Sequence, residues 1–275
     1  MPAQIGSAEV LSIMERVGAV CKKKVRVYMV GGGAMALRGE KEATKDIDLI
    51  VRSPAEAEEL KRAFESLRFD VNTRQPRECH ALVDAMILSA PTGLRADIFV
   101  GKVCNRLRLS DGMIRRAELV DRWGGVALYI CSREDIFLLK SVTERSRDLD
   151  DMIVLFRKGL ERDVILRECE DQGEPEGLRN SSIWEAFLLT KIEEMETRYG
   201  VRVPWKRGLR SRAEMKLGAQ HLLRLVEEGV TSVKDLATEM DESPEFVSRC
   251  LHHLEETHEI EVDKTTRPHR IRLLK

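Results

Sequence analysis

The spacing of apolar residues changes several times along this 275-residue chain, and each change predicts an element. Apolar residues recur every three or four positions over 8–20, which predicts an amphipathic helix. The run VRVYMV at 25–30 predicts a strand, and the three glycines after it leave only 34–38 for a short helix before a polar loop. A second strand, IDLIV, follows that loop, and a Ser-Pro pair then starts a helix over 55–66.

Shorter apolar runs dominate the middle of the chain. Those at 69–71, 81–89 and 94–100 predict strands, and the Ala-Pro-Thr-Gly stretch between the last two predicts a hairpin. The run VALYICS, from residue 126, predicts one more strand, and Ser132 with Asp135 has the spacing of a capping box. The helices predicted after it cover about 133–143, 147–158 and 161–171.

The last third of the chain has a different order of predicted elements. The polar segment 171–180 contains Gly and Pro and predicts a linker, and a helix at 182–198 and a basic connector follow it. Three further helices are predicted, at 213–228, from 232, and up to about 257. Two short strand-like runs flank the sequence TTRP after them. Three helices and a hairpin are the arrangement of a winged-helix domain, a variant of the helix-turn-helix.

Together these patterns predict an α/β fold, built as α+β around a mixed sheet, followed by helices. The expected domains are an α/β domain at 1–158, a helical segment and linker at 159–210, and a small winged-helix domain at 211–275.

Composition says more about the location of the protein and the state of its cysteines than about its function. No signal-like leader and no apolar run of about 18 residues is present, so we expect a soluble, cytoplasmic protein without a membrane partner. The six cysteines are scattered without a C-x-x-C pair, which favours reduced thiols. The formal net charge of −1 does not favour a polyanionic partner for the chain as a whole. A claim of nucleic-acid binding must therefore come from the local distribution of charge.

The glycine-rich turn allows two interpretations. The letters GGGAMA follow a strand and fit the G-x-G-x-x-A pattern of a dinucleotide-binding Rossmann fold. That fold needs a longer crossover helix and an acid at the end of the second strand. Here the helix is short, and Asp46 and Asp48 open the second strand. Residues at i and i+2 share one strand face, where a carboxylate pair suits two magnesium ions and in-line displacement at phosphorus.

A third carboxylate would complete such a site, and two residues compete for the role. Asp97 lies in the apolar run LRADIFV, where a buried acid without a partner would be costly, and its strand can lie beside IDLIV. Asp84, in ALVDAMILS, is the alternative. We prefer Asp97.

These residues resemble the DNA polymerase-beta superfamily of nucleotidyltransferases. The resemblance covers residues 1–158: a glycine turn opening a short helix, Asp-x-Asp beginning a strand, and a third Asp on a neighbouring strand. The stretch EDIFLLKSVTERSRDLDDMIVLF is similar to a segment of minimal bacterial and archaeal nucleotidyltransferases, including the toxin and phage-abortive-infection branch. The resemblance implies that the triphosphate is bound by Gly32 and Gly33, the metals by Asp46, Asp48 and Asp97, the proton of the nucleophile by Asp97, and the phosphates or substrate by Lys140. Arg147, Asp148 and Asp151 are further positions that the resemblance carries over.

The resemblance implies an enzyme, a nucleotidyltransferase that uses two Mg²⁺ ions to move a nucleoside monophosphate from an NTP to a hydroxyl of a protein, an RNA or a small molecule. The alternative is a DNA-binding regulator or toxin-antitoxin component in which this domain serves as a sensor or oligomerisation platform, and a homodimer is compatible with the sequence. DNA would then bind through residues 211–275, although 206–275 hold 13 basic and 13 acidic residues. A Rossmann-fold oxidoreductase is the third hypothesis.

Overall fold

The structure, a computed structural model, divides the chain into two compact units, Met1–Glu168 (unit 1) and Cys169–Lys275 (unit 2). The three-part division of the sequence stays a prediction, and its boundary before residue 211 falls within a helix of unit 2. The described residues are 4–71, 85–103, 106–143, 145–173, 177–263 and 270–274.

Unit 1 alternates helices and strands. Its helices are α1 (Ser7–Val20), α2 (Gly31–Leu37), α3 (Pro54–Ser66), α4 (Asp111–Arg116), α5 (Arg133–Ser141), α6 (Asp148–Arg157) and α7 (Arg162–Gly173), which continues past the unit boundary. Its strands are β1 (Val25–Val30), β2 (Asp46–Val51), β3 (Asp70–Val71), β4 (Met86–Ser89), β5 (Arg95–Val100), β6 (Lys102–Val103), β7 (Leu107–Arg108), β8 (Glu118–Trp123) and β9 (Val126–Ile130).

Seven of these strands form one mixed sheet in the order β3-β4-β5-β2-β1-β9-β8. The pairs β2–β5 and β1–β9 are parallel, and the other neighbours are antiparallel. The mixed sheet predicted from the sequence is therefore confirmed, as is the hairpin of β4 and β5. The strands that carry the predicted acids, β2 and β5, are neighbours near the centre of the sheet.

Local sequence explains how the helices pack on this sheet. α1 buries Val10, Met14 and Val17, which follow each other at helical spacing, and it contacts β8 and β9. α3 contacts β1, β2, β4 and β5. It begins with a capping box in which the Ser53 hydroxyl accepts from the Glu56 amide while the Glu56 carboxylate accepts from the Ser53 amide.

Two parts of unit 1 differ from the sequence-based expectation. α2 begins at Gly31 rather than at residue 34, so the glycines form the first helical turn instead of a loop. Residues 102–123, for which the sequence predicts no element, contain β6, β7, α4 and β8. β8 is an edge strand with mostly exposed, charged side chains, so it lacks the apolar alternation that marks a strand.

Unit 2 is mainly helical. Its elements are α8 (Gly177–Asn180), α9 (Trp184–Tyr199), α10 (Lys206–Glu227), α11 (Val233–Glu239), α12 (Pro244–Glu256) and the antiparallel pair β10 (Ile260–Asp263) and β11 (Arg270–Leu273). α10 begins at Lys206, seven residues before the predicted start, and includes Gly208. The linker predicted at 171–180 is helical at both described ends. The winged-helix assignment stays a proposal.

A test of every helix in the described part of the chain finds none that is long and apolar enough to cross a membrane.

Candidate active site

The glycine turn is shaped by the first of its three glycines. Gly31 has a φ of +63°, in the left-handed region, and a Cβ there would lie 2.1 Å from Oδ2 of Asp48. Only glycine combines that backbone conformation with so close an approach of a carboxylate. The sequence motif predicts a role for Gly32 and Gly33 and does not identify Gly31.

The other two glycines occupy different environments. Gly32 borders a pocket, and a Cβ there would meet Oγ1 of Thr44 at 2.6 Å. Gly33 is buried, with the sulfur of Met29 as its nearest neighbour, and it is not among the residues that line this pocket. The predicted roles of both residues in nucleotide binding stay predictions, and the surroundings favour Gly32.

Strand register brings the three predicted acids together. Asp48 on β2 is paired with Asp97 on β5, and Asp46 is two residues before Asp48 on the same strand. Residues paired across neighbouring strands point to the same face, so all three carboxylates share one side of the sheet. Asp97 is only 1% exposed. The alternative acid, Asp84, lies outside the described residues.

An arginine that the sequence analysis did not select stands among these acids. Arg95 is paired with Asp46 in the β2–β5 register, and its Nε lies 3.8 Å from Oδ1 of Asp46. The same Nε donates to Oδ1 of Asp97 at 3.1 Å, and Nη2 donates to Oδ2. The i, i+2 spacing of Arg95 and Asp97 in LRADIFV is the signal that could have identified this contact.

The carboxylates are closer together than their charges favour. Burial, followed by the charges of Asp97 and Asp46, raises the pKa of Asp48 to about 7. Burial also raises the pKa of Asp97, and the paired Arg95 guanidinium opposes that rise. The cations nearby, Lys140 and Arg145 among them, only partly offset this rise at Asp48, so its carboxylate would gain from a further cation.

Whether this face suits a metal ion depends on its donor atoms. Carboxylate oxygens are the ligands that Mg²⁺ prefers, and the repulsion at Asp48 is what a divalent cation would relieve. Within the described ranges, no three His, Cys, Asp or Glu side chains are arranged to hold a metal as they stand. Arg95, which contacts both Asp46 and Asp97, occupies part of this face.

Lys140, on α5, is 7% exposed and is held by two acids of α6. Its Nζ donates to Oδ1 of Asp148 at 3.0 Å and to Oδ2 of Asp151 at 2.5 Å. Burial alone would lower the pKa of Lys140, but Asp148 and Asp151 outweigh it and raise that pKa. Lys41 donates to Asp151 from the opposite side at 2.8 Å. This pairing fixes the charged state of Lys140 and joins α5 to α6.

A pocket of about 230 Å³ lies at this end of the sheet and contains both the acids of β2 and the Lys140 cluster. Positive charge in the lining also comes from Lys41, Lys45 and Arg145. The sequence motifs did not identify these residues, because the segments that contain them resemble ordinary charged loops. Arg147 also lines it and lies 3.6 Å from Oδ2 of Asp46. The full lining is Gln4, Gly32, Lys41, Ala43, Thr44, Lys45, Asp46, Asp48, Lys140, Arg145, Arg147, Asp148 and Asp151.

The raised pKa of Asp48 predicts how stability depends on pH. An aspartate in an unfolded chain loses its proton near pH 4, whereas folded Asp48 keeps it until about pH 7. The folded state binds more protons than the unfolded state in that window. The contribution of Asp48 to the free energy of unfolding should therefore fall between about pH 4 and 7 and change little above pH 7.

Urea unfolding at several pH values, without divalent cations, measures this effect. Asp48→Asn should flatten the profile between about pH 4 and 7. Asp70→Asn, which changes an exposed acid on β3, should not. A profile that is the same for Asp48→Asn and the parent would contradict the interpretation.

Comparison with known proteins assigns the first half of the chain to a family. Residues 8–156 match the family model described as "Nucleotidyltransferase of unknown function (DUF6036)". No curated protein sequence matches the chain. The solution structure of the antibiotic-resistance factor ANT(2'')-Ia is similar at 13% sequence identity and a TM-score of 0.41, over 60% of this chain and 90% of that chain. So distant a likeness supports no statement about the site. Because the family match spans more than half of the residues, the chain belongs to the nucleotidyltransferase family DUF6036.

Proposed function

We propose that this protein transfers a nucleoside monophosphate from an NTP to a hydroxyl of an acceptor, which is a protein, an RNA or a small molecule, and releases pyrophosphate. The proposal rests on one observation, the register that pairs Asp48 with Asp97 beside the glycine turn. Membership in the nucleotidyltransferase family agrees with it.

The three acids divide the work in this proposal. Asp46 and Asp48 hold Mg²⁺, and Asp97 shares in holding it and takes the proton of the attacking hydroxyl. When bound, Mg²⁺ neutralises charge on the triphosphate and on the oxygens that enter and leave at phosphorus. Arg95 orients Asp97 and favours its ionised form, since the guanidinium contacts that carboxylate through two nitrogens.

The basic lining of the pocket serves the phosphates. Lys41, Lys45, Arg145 and Arg147 border it together with Lys140. Pockets for drug-sized ligands have volumes of roughly 300–1,000 Å³. A volume of about 230 Å³ suits the triphosphate, with the nucleoside extending beyond the pocket.

Unit 2 supports a second proposal, that of a DNA-binding regulator whose nucleotidyltransferase-like domain is a sensor. The supporting observation is the order of three helices, α10, α11 and α12, before an antiparallel strand pair. We propose that this part is a winged-helix domain. Arg249 is exposed on α12, and Arg249→Glu should weaken DNA binding if this proposal is correct.

Labelling with each of the four radioactive NTPs tests the enzymatic proposal. We expect the purified protein, with magnesium and cell extract, to label one class of acceptor with one preferred NTP. Asp46→Asn/Asp48→Asn should abolish the label, because both proposed metal ligands lose their charge. Asp70→Asn is the matched control and should label as the parent does. Label that persists in the double variant would refute this active site.

A further inference from the structure

A second, strongly basic pocket lies at the opposite end of the same strands. β1 begins and β2 ends there, four or more residues from the carboxylates, which corresponds to roughly 13 Å along a strand. The pocket has a volume of about 890 Å³ and shares no lining residue with the carboxylate pocket. We call it the basic pocket. It is lined by Lys24, Val25, Arg26, Arg52, Ser53, Glu56, Arg122, Gly124, Gly125, Val126 and Ala127.

Strand register arranges two of its arginines in a row across the sheet. Arg26 on β1 and Arg122 on β8 are both paired with Ala127 on β9, the strand between them. Neighbouring strands lie about 4.8 Å apart, so the two arginine backbones are about 10 Å apart on one face. Ala127 is small and 7% exposed, so it forms a low floor between two long, exposed side chains.

Arg52 extends the basic pocket to a fourth strand. It directly follows β2, the neighbour of β1 on its other side, and its side chain is exposed. Tyr28, which is 2% exposed, stacks on Tyr129 with centroids 5.3 Å apart, and neither ring is part of the pocket lining. The hydroxyl of Tyr129 accepts from Arg122 at 3.5 Å. The basic pocket therefore gathers the side chains of Arg26, Arg52 and Arg122 around one concave surface.

The lining of the basic pocket carries a net positive charge, because it has four basic side chains and one acid, Glu56. Lys24, Arg26 and Arg52 form no ion pair with any residue that the structure describes. Glu56 is the acid in the lining, and its carboxylate already accepts from the Arg52 and Ser53 amides in the capping box. Like charges gathered on one sheet face repel one another, and a bound polyanion would offset that repulsion.

The geometry distinguishes between classes of anion. Arginine forks match phosphate oxygens in planar, two-point contacts. Charges spread over about 10 Å can contact several phosphates of one chain, whereas a single small phosphate would meet one or two of them. A concave groove of positive charge that follows the phosphates is the sequence-independent part of nucleic-acid recognition.

We propose that the basic pocket binds the sugar-phosphate backbone of a nucleic acid. The binding is separate from the carboxylate pocket and does not rest on the proposed transfer reaction. It assigns nucleic-acid binding to unit 1, whereas the sequence suggests residues 211–275 for that role.

Fluorescence anisotropy with the full-length protein tests this proposal. The probes are labelled 20-nucleotide single strands of RNA and DNA and a 20-base-pair duplex, titrated at several salt concentrations from roughly 50 mM upward. Three or four phosphate contacts to a single strand should give a slope of log K against log salt of about −2 to −3. Arg26→Glu/Arg122→Glu should weaken binding at least about tenfold at low salt and reduce the slope by about 1.4, since each lost contact contributes about 0.7.

Two matched variants control for charge and folding. Arg157→Glu/Lys158→Glu changes the net charge equally at two exposed positions at the C-terminal end of α6 and should bind as the parent does. Arg26→Lys/Arg122→Lys keeps the charge and should retain most of the affinity. The melting temperatures of all variants show whether they are folded.

Four outcomes would overturn the proposal. The first is that the parent binds no probe at low salt. The second is an equal loss in the Arg157→Glu/Lys158→Glu control. The third is loss only in Arg249→Glu, which would assign binding to α12 of unit 2. The fourth is competition by poly-glutamate as effective as that by unlabelled RNA, which would indicate an acidic protein partner instead.

Discussion

Replacing Asp97 by asparagine is expected to lower nucleotidyl transfer by about 10²- to 10⁴-fold, the range associated with loss of a positioned proton acceptor. Asparagine keeps the shape of the side chain but can neither accept the proton nor bind a cation strongly. Arg95 keeps Asp46 as a neighbour at 3.8 Å, so the fold should survive. The measurements are the single-turnover rate with the preferred NTP and the melting temperature with and without magnesium.

Magnesium gives this experiment a readout that does not depend on activity. Mg²⁺ should raise the melting temperature of the parent, because it binds the folded state only, and should raise that of Asp97→Asn much less. Asp70→Asn should respond to magnesium as the parent does. A parent-like rate in Asp97→Asn would remove Asp97 from the mechanism, and an unchanged magnesium response would remove it from the metal site.

Replacing Arg116 by methionine is expected to lower the free energy of unfolding by about 3–5 kcal/mol, the usual cost of removing one partner from a buried ion pair. Arg116 on α4 donates to Asp135 on α5 at 2.5 Å and also to Glu168 on α7. The two acids are 0% and 1% exposed, so the variant leaves two buried carboxylates without their cation. Urea unfolding followed by circular dichroism measures the loss.

Two comparisons show whether the loss comes from those carboxylates. Arg62→Met removes a 56% exposed arginine from two long contacts on α3, each of 3.9 Å, with Glu58 and Glu59, and should cost about 1 kcal/mol or less. Asp135→Asn/Glu168→Gln, added to Arg116→Met, should recover part of the stability because no buried charge then remains. A cost of Arg116→Met no larger than that of Arg62→Met would contradict the buried-network interpretation.

The parts of the fold that the sequence predicts correctly are those with strong periodicity. The helix over residues 8–20 and the strands VRVYMV and IDLIV have buried faces, and burial is what creates an apolar pattern. β8 has no such face, because an edge strand with charged side chains gives no pattern to read. The first turns of α10 also lack an apolar pattern, because they are rich in basic residues and include Gly208. The sequence therefore predicts too late a start for this helix.

The candidate site was predictable where it follows a motif. Asp46 and Asp48 follow from the strand that they open, and Asp97 from an acid inside an apolar run. Arg95 and Gly31 depend on contacts between segments that are far apart in sequence, with partners at 97 and 48 on neighbouring strands. Such contacts arise only when β2 and β5 pair in one register, which no local pattern specifies.

If Asp48 and Asp97 act together as proposed, activity depends on a single alignment of β2 and β5. A slip of one residue would turn every side chain of β5 to the opposite face and replace Asp97 by Ala96 or Ile98 beside Asp48. A compact but misaligned form would therefore be inactive, however well it buried its core. Under the proposed function, an assay of nucleotide transfer would therefore report the fraction of molecules in which β2 and β5 are correctly aligned.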